Sequence, residues 1–382
     1  MKKLLSLALA LLLTVSVLGA CAKETKEDEP KEDDTPNVVE DDTIEIALVT
    51  DVGTIDDKSF NQGAWEGVVA YAEANDKTYN YYQPSEKSTD AYVDAIELAV
   101  EDGAKIVVTP GYLFENAIWV AQTEWPDVNF ILLDGAPHNV TDPVTKATYD
   151  GGEVDDTIAP NTASIFYAEN ESGFLAGYAA VKDGYTKLGF MGGMAVPAVV
   201  RFGYGFVEGA NKAAEEMDID ITIDYGYLGV FWPTDEVQTK AAAWYSAGTE
   251  VIFAAAGGAG SSVMKSAEQN DGKVIGVDID QVNDSETVIT SAMKGLAKSV
   301  EQALEEYYAG NFAGGKSVTK DAKLDGVSLP SDFSRFTTFT QEDYDLIFNT
   351  LVEGGYEFKT TADSAIEVLT TDFANTTVNI HE

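Results

Sequence analysis

Residues 44–74 read IEIALVTDVGTIDDKSFNQGAWEGVVAYAEA. The run Ile44–Thr50 is rich in apolar strand formers and stops at Asp51. A polar turn follows. Ser59 then stands where a helix N-cap belongs, and Asn61–Ala74 carries helical periodicity. A strand, an acid at its carboxyl end and a helix make the opening unit of a parallel α/β sheet.

The same alternation continues outward from this stretch. Strand-like runs are expected at Lys105–Thr109, Val128–Asp134, Ser164–Tyr167, Lys187–Met191, Ile221–Tyr227, Val251–Ala255 and Val274–Val277. Helical patterns are expected between them at Thr89–Glu101, Phe114–Gln122, Ser172–Lys182, Val200–Met217, Thr234–Ala247 and Ser261–Gln269. Continuous apolar strands such as Phe130-Ile131-Leu132-Leu133 suit sheets covered on both faces. About 340 residues of such pattern exceed one comfortable core and suggest two lobes. The expected architecture is α/β, with two Rossmann-like lobes and parallel sheets around a hinged cleft. The first lobe is expected to hold residues 44–166 plus a returning segment near 294–329. The second is expected to hold 167–293 plus about 330–382.

The N-terminus has a different character. Lys2 and Lys3 precede an apolar run from Leu4, and Leu18-Gly19-Ala20-Cys21 closes it with small residues. That is the pattern of an exported chain, so residues 1–20 are expected to be a signal peptide. The tetrapeptide resembles a bacterial lipobox, with Cys21 as the lipidated residue, for instance by palmitate. A transmembrane anchor is the competing reading, but the run is short for about 20 spanning residues and carries Ser6, Thr14 and Ser16. Residues 22–42, AKETKEDEPKEDDTPNVVEDD, have almost nothing to bury. With Cys21 they form an acidic tether (residues 21–43) that holds the rest away from the membrane.

Composition narrows the function. The net charge is -41, and the leader contributes two lysines and no acid, so the exported part is more acidic still. Nucleic acid and bare anionic lipid are poor partners for such a surface. Cys21 is the only cysteine, so there is no intrachain disulfide. The two histidines, His138 and His381, leave little basis for a His metal site or a Ser-His-Asp triad. No cofactor and no metal are expected, and the protein is expected to be a monomer.

Ligands in open α/β sheets bind beyond the carboxyl ends of the strands. Those ends read Asp51, Pro110-Gly111, Asp134-Gly135, Gly192-Gly193, Ala256-Gly257-Gly258-Ala259-Gly260 and Asp278-Ile279-Asp280. Three strands end in aspartate. Aspartate there also caps turns, and glycine-rich turns are common, so each position alone leaves both readings open. The Gly257 turn lacks the lysine of a phosphate loop. Phe60 and Asn61, at a helix start after a strand, point either into the crevice or, for Phe60, back onto their own helix.

Four stretches together carry a resemblance: DVGTIDDKSFNQGAWEG (51–67), MGGMAVPAVVRFGYGFVEGA (191–210), AAAGGAG (254–260) and VDIDQ (277–281). They resemble the basic membrane protein family, lipoprotein substrate-binding components of ABC importers with a type I periplasmic-binding-protein fold. The resemblance spans residues 44 to about 308. It implies a purine nucleoside ligand (guanosine, inosine or adenosine) and an ABC permease as partner. It also implies site residues: Asp51, Phe60 and Asn61 from the first motif, Asp134 facing the base, and Phe202 as a second stacking aromatic. Gly257, Asp278 and Lys294 are implied on the ribose side. Thr54 stands where the family often has glycine.

The residue chemistry agrees with such a ligand. A base offers two π faces, each worth about 1–3 kcal/mol against an aromatic ring. Ribose hydroxyls are donors, and carboxylates accept them. The cleft is expected to hold one cation, Lys294, and no arginine fork, so a 5′-phosphate should be rejected. A sugar receptor of the same fold and a ligand-sensing module are rival functions. An enzyme using Asp278 and Asp280 to hydrolyse an N-glycosidic bond is a third, and the expectation is that the protein is not an enzyme.

Overall fold

The computed structural model describes residues 43–381. Cys21, the leader and most of the tether fall outside these residues. Two parallel sheets organise the described chain. The first has the order β13 (Lys316–Lys320), β7 (Thr162–Tyr167), β4 (Asn129–Leu133), β3 (Ile106–Pro110), β1 (Ile46–Val49) and β2 (Tyr79–Tyr82). The second has the order β14 (Val327–Ser328), β12 (Val288–Lys294), β11 (Lys273–Asp278), β10 (Val251–Ala255), β8 (Lys187–Gly192), β9 (Ile221–Tyr227) and β15 (Thr376–His381). A small hairpin, β5 (Val140–Asp142) with β6 (Ala147–Thr148), stands apart. Apart from the antiparallel β14 edge and that hairpin, the pairings are parallel.

The helices are α1 (Phe60–Ala74), α2 (Thr89–Glu101), α3 (Glu115–Glu124), α4 (Glu169–Lys182), α5 (Pro197–Met217), α6 (Asp235–Ala247), α7 (Gly260–Asn270), α8 (Leu296–Tyr308), α9 (Gln341–Val352) and the short α10 (Val368–Thr371). They cover both faces of each sheet. Ala47, Val49, Val107 and Leu132 pack on one side of the first sheet with Ile96 and Ile118. Ile46, Leu48 and Val108 pack on the other with Ala64 and Val68. This is the α/β architecture expected from the alternation.

Several strands lie outside the expected set, for physical reasons. β2 (YNYY), β13 (KSVTK) and β15 (TTVNIH) are edge strands with polar or exposed positions, so they lack a continuous apolar run. β12 (VITSAMK) is buried along most of its length, yet Thr290, Ser291 and Lys294 interrupt its apolar character.

The chain passes between the sheets three times: after β7 into α4, after β12 into α8, and between β13 and β14. The segment expected to return to the first lobe over about 294–329 therefore divides. α8 packs on α1, where a Cβ at Gly67 would sit 2.6 Å from the Ala297 carbonyl, and β13 joins the first sheet. β14 instead pairs with Met293 and Lys294 in the second. The C-terminal region is tied to the second sheet by buried acids. Asp183 Oδ1 accepts the backbone N–H groups of Thr337, Thr338 and Phe339. Glu208 accepts from Thr360 and the Tyr356 hydroxyl.

One helix contact positions the site. α4 and α5 cross so closely that a Cβ at Gly173 would lie 2.1 Å from the Phe202 carbonyl, and one at Gly209 would lie 1.9 Å from that of Phe174. Only glycine permits this approach. It brings Glu169, at the start of α4, beside Arg201 near the start of α5.

Candidate functional site

A cavity of about 250 Å³ lies between the carboxyl ends of the two sheets. Asp51, Phe60, Asn61, Asp134, Phe202, Gly257, Asp278 and Lys294 all line it. The first three come from the β1–α1 stretch, and Asp134 follows β4. Phe202 lies on α5, Gly257 follows β10, and Asp278 and Lys294 end β11 and β12. The strand-end rule for open sheets accounts for the location.

The wall from the first lobe is a closed hydrogen-bond network. Asp51 Oδ1 accepts from Gly53 N (2.7 Å) and Asn61 Nδ2 (2.9 Å), and Asn61 Oδ1 accepts from Asp51 N (3.2 Å). Asn61 Nδ2 also donates to Asp57 Oδ2 at 2.9 Å. Asn61 thus orients two aspartates, and both its amide hydrogens are committed. A Cβ at Gly53 would lie 2.5 Å from that amide nitrogen, so the turn needs glycine there. Ser59 holds the expected N-cap position, directly before α1. Its side chain makes no cap bond; Asp57 accepts the N–H groups of Ser59, Asn61 and Gln62 instead. The Ser59 hydroxyl is thereby freed to donate across the cleft to Asp278 Oδ2. Lys58 also bridges the lobes, its carbonyl accepting from Gln281 Nε2 at 2.5 Å.

Asp134 and Asp278 hold left-handed backbone conformations, with φ of +56° and +68°. Aspartate tolerates this region better than most residues, and such strain gathers at functional sites. Their carboxylates converge on Lys294, the last residue of β12. Its Nζ bonds Asp134 Oδ2, lies 3.1 Å from Glu169 Oε1 and 3.9 Å from Asp278 Oδ1. Three rings surround the same ammonium: Phe60 at 4.7 Å, Phe202 at 5.3 Å and Tyr167 at 5.5 Å. Phe60 therefore faces the cleft, not its own helix, and both phenylalanines expected to stack a base line the cavity near this ammonium. Their proximity to a buried cation adds a cation–π attraction.

Burial shapes the charges. It would lower the Lys294 pKa, but Asp134, Glu169 and Asp278 outweigh it and keep the lysine charged. Burial pushes Asp134 up to about 7, with Glu169 and Asp278 adding to the rise and Lys294 opposing it. Burial also raises Asp51 and Asp278. Glu169 moves the other way: burial opposes its charge, but Lys294 and Arg201 prevail. Asp134 Oδ1 is buried without a hydrogen-bond partner among the described residues. An oxygen in that condition favours a ligand donor.

The structure adds residues that the sequence did not single out. Arg201 lines the cleft, so the expectation of Lys294 as its one cation, with no arginine, is corrected. Its Nε donates to Glu169 Oε2 at 2.6 Å, and Glu169 is fully buried. Tyr112, Phe231 and Trp232 widen the aromatic lining. The available signal was placement: Glu169 follows the end of β7, and Arg201 is an isolated charge inside the PAVVRFGYG stretch.

A two-lobed α/β protein with a crevice at the strand ends has the form of a solute-binding receptor. The fold matches one directly: an ABC transporter solute-binding protein from Aeropyrum pernix K1 aligns with a TM-score of 0.71 at 20% identity, over 86% of this chain and 97% of that one. The type I periplasmic-binding-protein-like fold is therefore shown. The family model for PnrA-like ABC transporter substrate-binding proteins (Bmp) matches residues 44–350, and the chain belongs to that family. The ABC transporter nucleoside-binding protein BmpA of Lactococcus lactis subsp. cremoris is 31% identical over 354 residues, 87% of this chain and 92% of that protein. Basic membrane protein A of Borreliella burgdorferi is 29% identical over 73% of this chain and 76% of its own length. The family resemblance carried by the four motifs holds. The protein is a substrate-binding component of an ABC transporter.

Proposed function

We propose that the chain is an extracytoplasmic lipoprotein receptor that takes a purine nucleoside into its cleft and delivers it to an ABC permease. The observation that carries this reading is the pairing of two kinds of group in one cavity. Phe60 and Phe202 offer ring faces around a common point. Asp51, Asp134 and Asp278 offer acceptors beside them, one with an orphan oxygen. A nucleoside has the complementary parts: a flat base for the rings, and N–H and O–H donors for the carboxylates. The nucleoside-binding relative supports the same ligand class. Asp51 and Asp134 serve the base edge, held by Asn61 and Lys294. Gly257, Asp278 and Lys294 serve the ribose.

Closure of the lobes would bury the ligand and mark the receptor as loaded. Ser59 and Lys58, which bridge to Asp278 and Gln281, are suited to holding that state. Cys21 lies outside the described residues, and no described helix is long and apolar enough to cross a membrane. Lipid on Cys21, with the acidic tether, would supply the attachment.

The test is calorimetric titration of the exported chain, after ligand removal, with guanosine, inosine, adenosine, cytidine and free pyranoses. Tight binding of a purine nucleoside supports the reading. Binding of pyranoses with no response to nucleosides would make it a sugar receptor. Attachment is tested separately: Cys21→Ala should shed the protein from membranes, and retention equal to wild type would remove the anchor.

A further inference from the structure

Arg201 presents donors to the cleft that no described residue uses. Its Nε is committed to Glu169 at 2.6 Å, which fixes the guanidinium in place. Its two terminal nitrogens have no hydrogen-bond partner among the described residues, and the side chain is 25% exposed into the cavity it lines. A guanidinium is a planar fork of donors, suited to two adjacent acceptors or to an anion.

An anion is the poorer choice. Asp51, Asp57, Asp134 and Asp278 line the same cavity, and Glu169 already offsets the Arg201 charge. A neutral pair of neighbouring acceptors meets no such repulsion. The O6 and N7 atoms of a 6-oxopurine are such a pair, and arginine binds them bidentately in other settings. Adenine instead places an amino donor beside N7, so donor would face donor. The adjoining edge of guanine and hypoxanthine, on the other side of O6, carries an N1–H that can donate to a carboxylate. Asp134, whose Oδ1 is buried and unpartnered among the described residues, lines the same cavity as Arg201.

We propose that Arg201 reads the O6/N7 edge of the base and makes the receptor selective for 6-oxopurine nucleosides, guanosine and inosine, over adenosine. The inference rests on the nucleoside reading of the cleft and assigns its specificity to one residue. Arg201 acts by direct contact with the ligand, while Glu169 is a positioning residue behind it.

The experiment titrates guanosine, inosine, adenosine and cytidine into wild type, Arg201→Lys and Arg201→Gln, with thermal unfolding curves for each protein. The lysine variant keeps the charge opposite Glu169 and loses the fork. Wild type should bind guanosine and inosine at least about 10-fold more tightly than adenosine. Arg201→Lys should shrink that ratio to about twofold, mostly by losing 6-oxopurine affinity. Arg201→Gln should do the same if the lysine variant fails to fold. Wild-type binding of adenosine as tight as guanosine would overturn the proposal. So would a ratio unchanged in a folded variant. Silence from all four nucleosides would fell the nucleoside reading itself, and is distinguishable because no ratio could then be measured.

Discussion

The two walls of the cleft are built in opposite ways. In the first lobe, Asp51, Asp57, Phe60 and Asn61 fall within eleven consecutive residues, and their bonds are local: Asn61 holds Asp51 and Asp57, and Asp57 caps α1. In the second, Glu169, Arg201, Asp278 and Lys294 come from four distant segments and depend on packing. α4 must approach α5 through glycines before Glu169 can meet Arg201, and β12 must enter the sheet before Lys294 can reach Asp134. In the local wall Asp51 and Asp57 also accept backbone N–H groups, so losing one side chain leaves each aspartate partnered. An assembled wall of buried charges fails as a unit when one member is lost.

The largest expected effect follows from that asymmetry. Lys294→Met would leave Asp134, Glu169 and Asp278 buried without their shared ammonium. Breaking a buried ion cluster by removing one partner costs about 3–5 kcal/mol, so denaturant unfolding should show a loss of that order. Asn61→Ala, the matching change in the local wall, should cost clearly less. Equal losses would break the comparison.

A smaller effect should treat both walls alike. Phe60 and Phe202 come from different walls and both lie near the Lys294 ammonium. Replacing either with Ala should weaken nucleoside binding by about 1–3 kcal/mol, the stacking contribution. Calorimetry with unchanged affinity for both folded variants would remove the sandwich.

Acid should weaken binding through Asp134. Its pKa is raised to about 7, so the carboxylate that accepts a ligand donor exists above that value and is neutralised below it. Between about pH 8 and about pH 6 the competent fraction falls about tenfold, and apparent affinity should fall with it. Asp134→Asn should flatten the profile. A pH-independent affinity in wild type would mean that Asp134 keeps its charge or does not meet the ligand.

The same contrast explains what the sequence disclosed. The parallel α/β fold was legible because buried strands such as Phe130–Leu133 are continuous apolar runs with helices between them. β2, β13 and β15 were not, because an edge strand has no need of an apolar face on both sides. The eight residues implied by the family resemblance all line one cavity. Glu169 and Arg201 were missed because their pairing exists only once Gly173 and Gly209 let two helices touch. The N-cap position of Ser59 was legible, but spacing cannot tell which of two neighbouring polar side chains, Asp57 or Ser59, bonds the helix N–H groups.

The central claim is that the cleft suits a neutral ligand with donors for its aspartates. Titration of guanosine and its 5′-monophosphate into ligand-free protein tests this most directly. Arg201 is offset by Glu169 and Lys294 by three carboxylates, so a phosphate would meet like charge in a partly desolvated cavity. Guanosine should bind at least about 100-fold more tightly than the monophosphate. Equal affinities would contradict the account, because the phosphate would then have found cationic or backbone N–H partners that outweigh the aspartates.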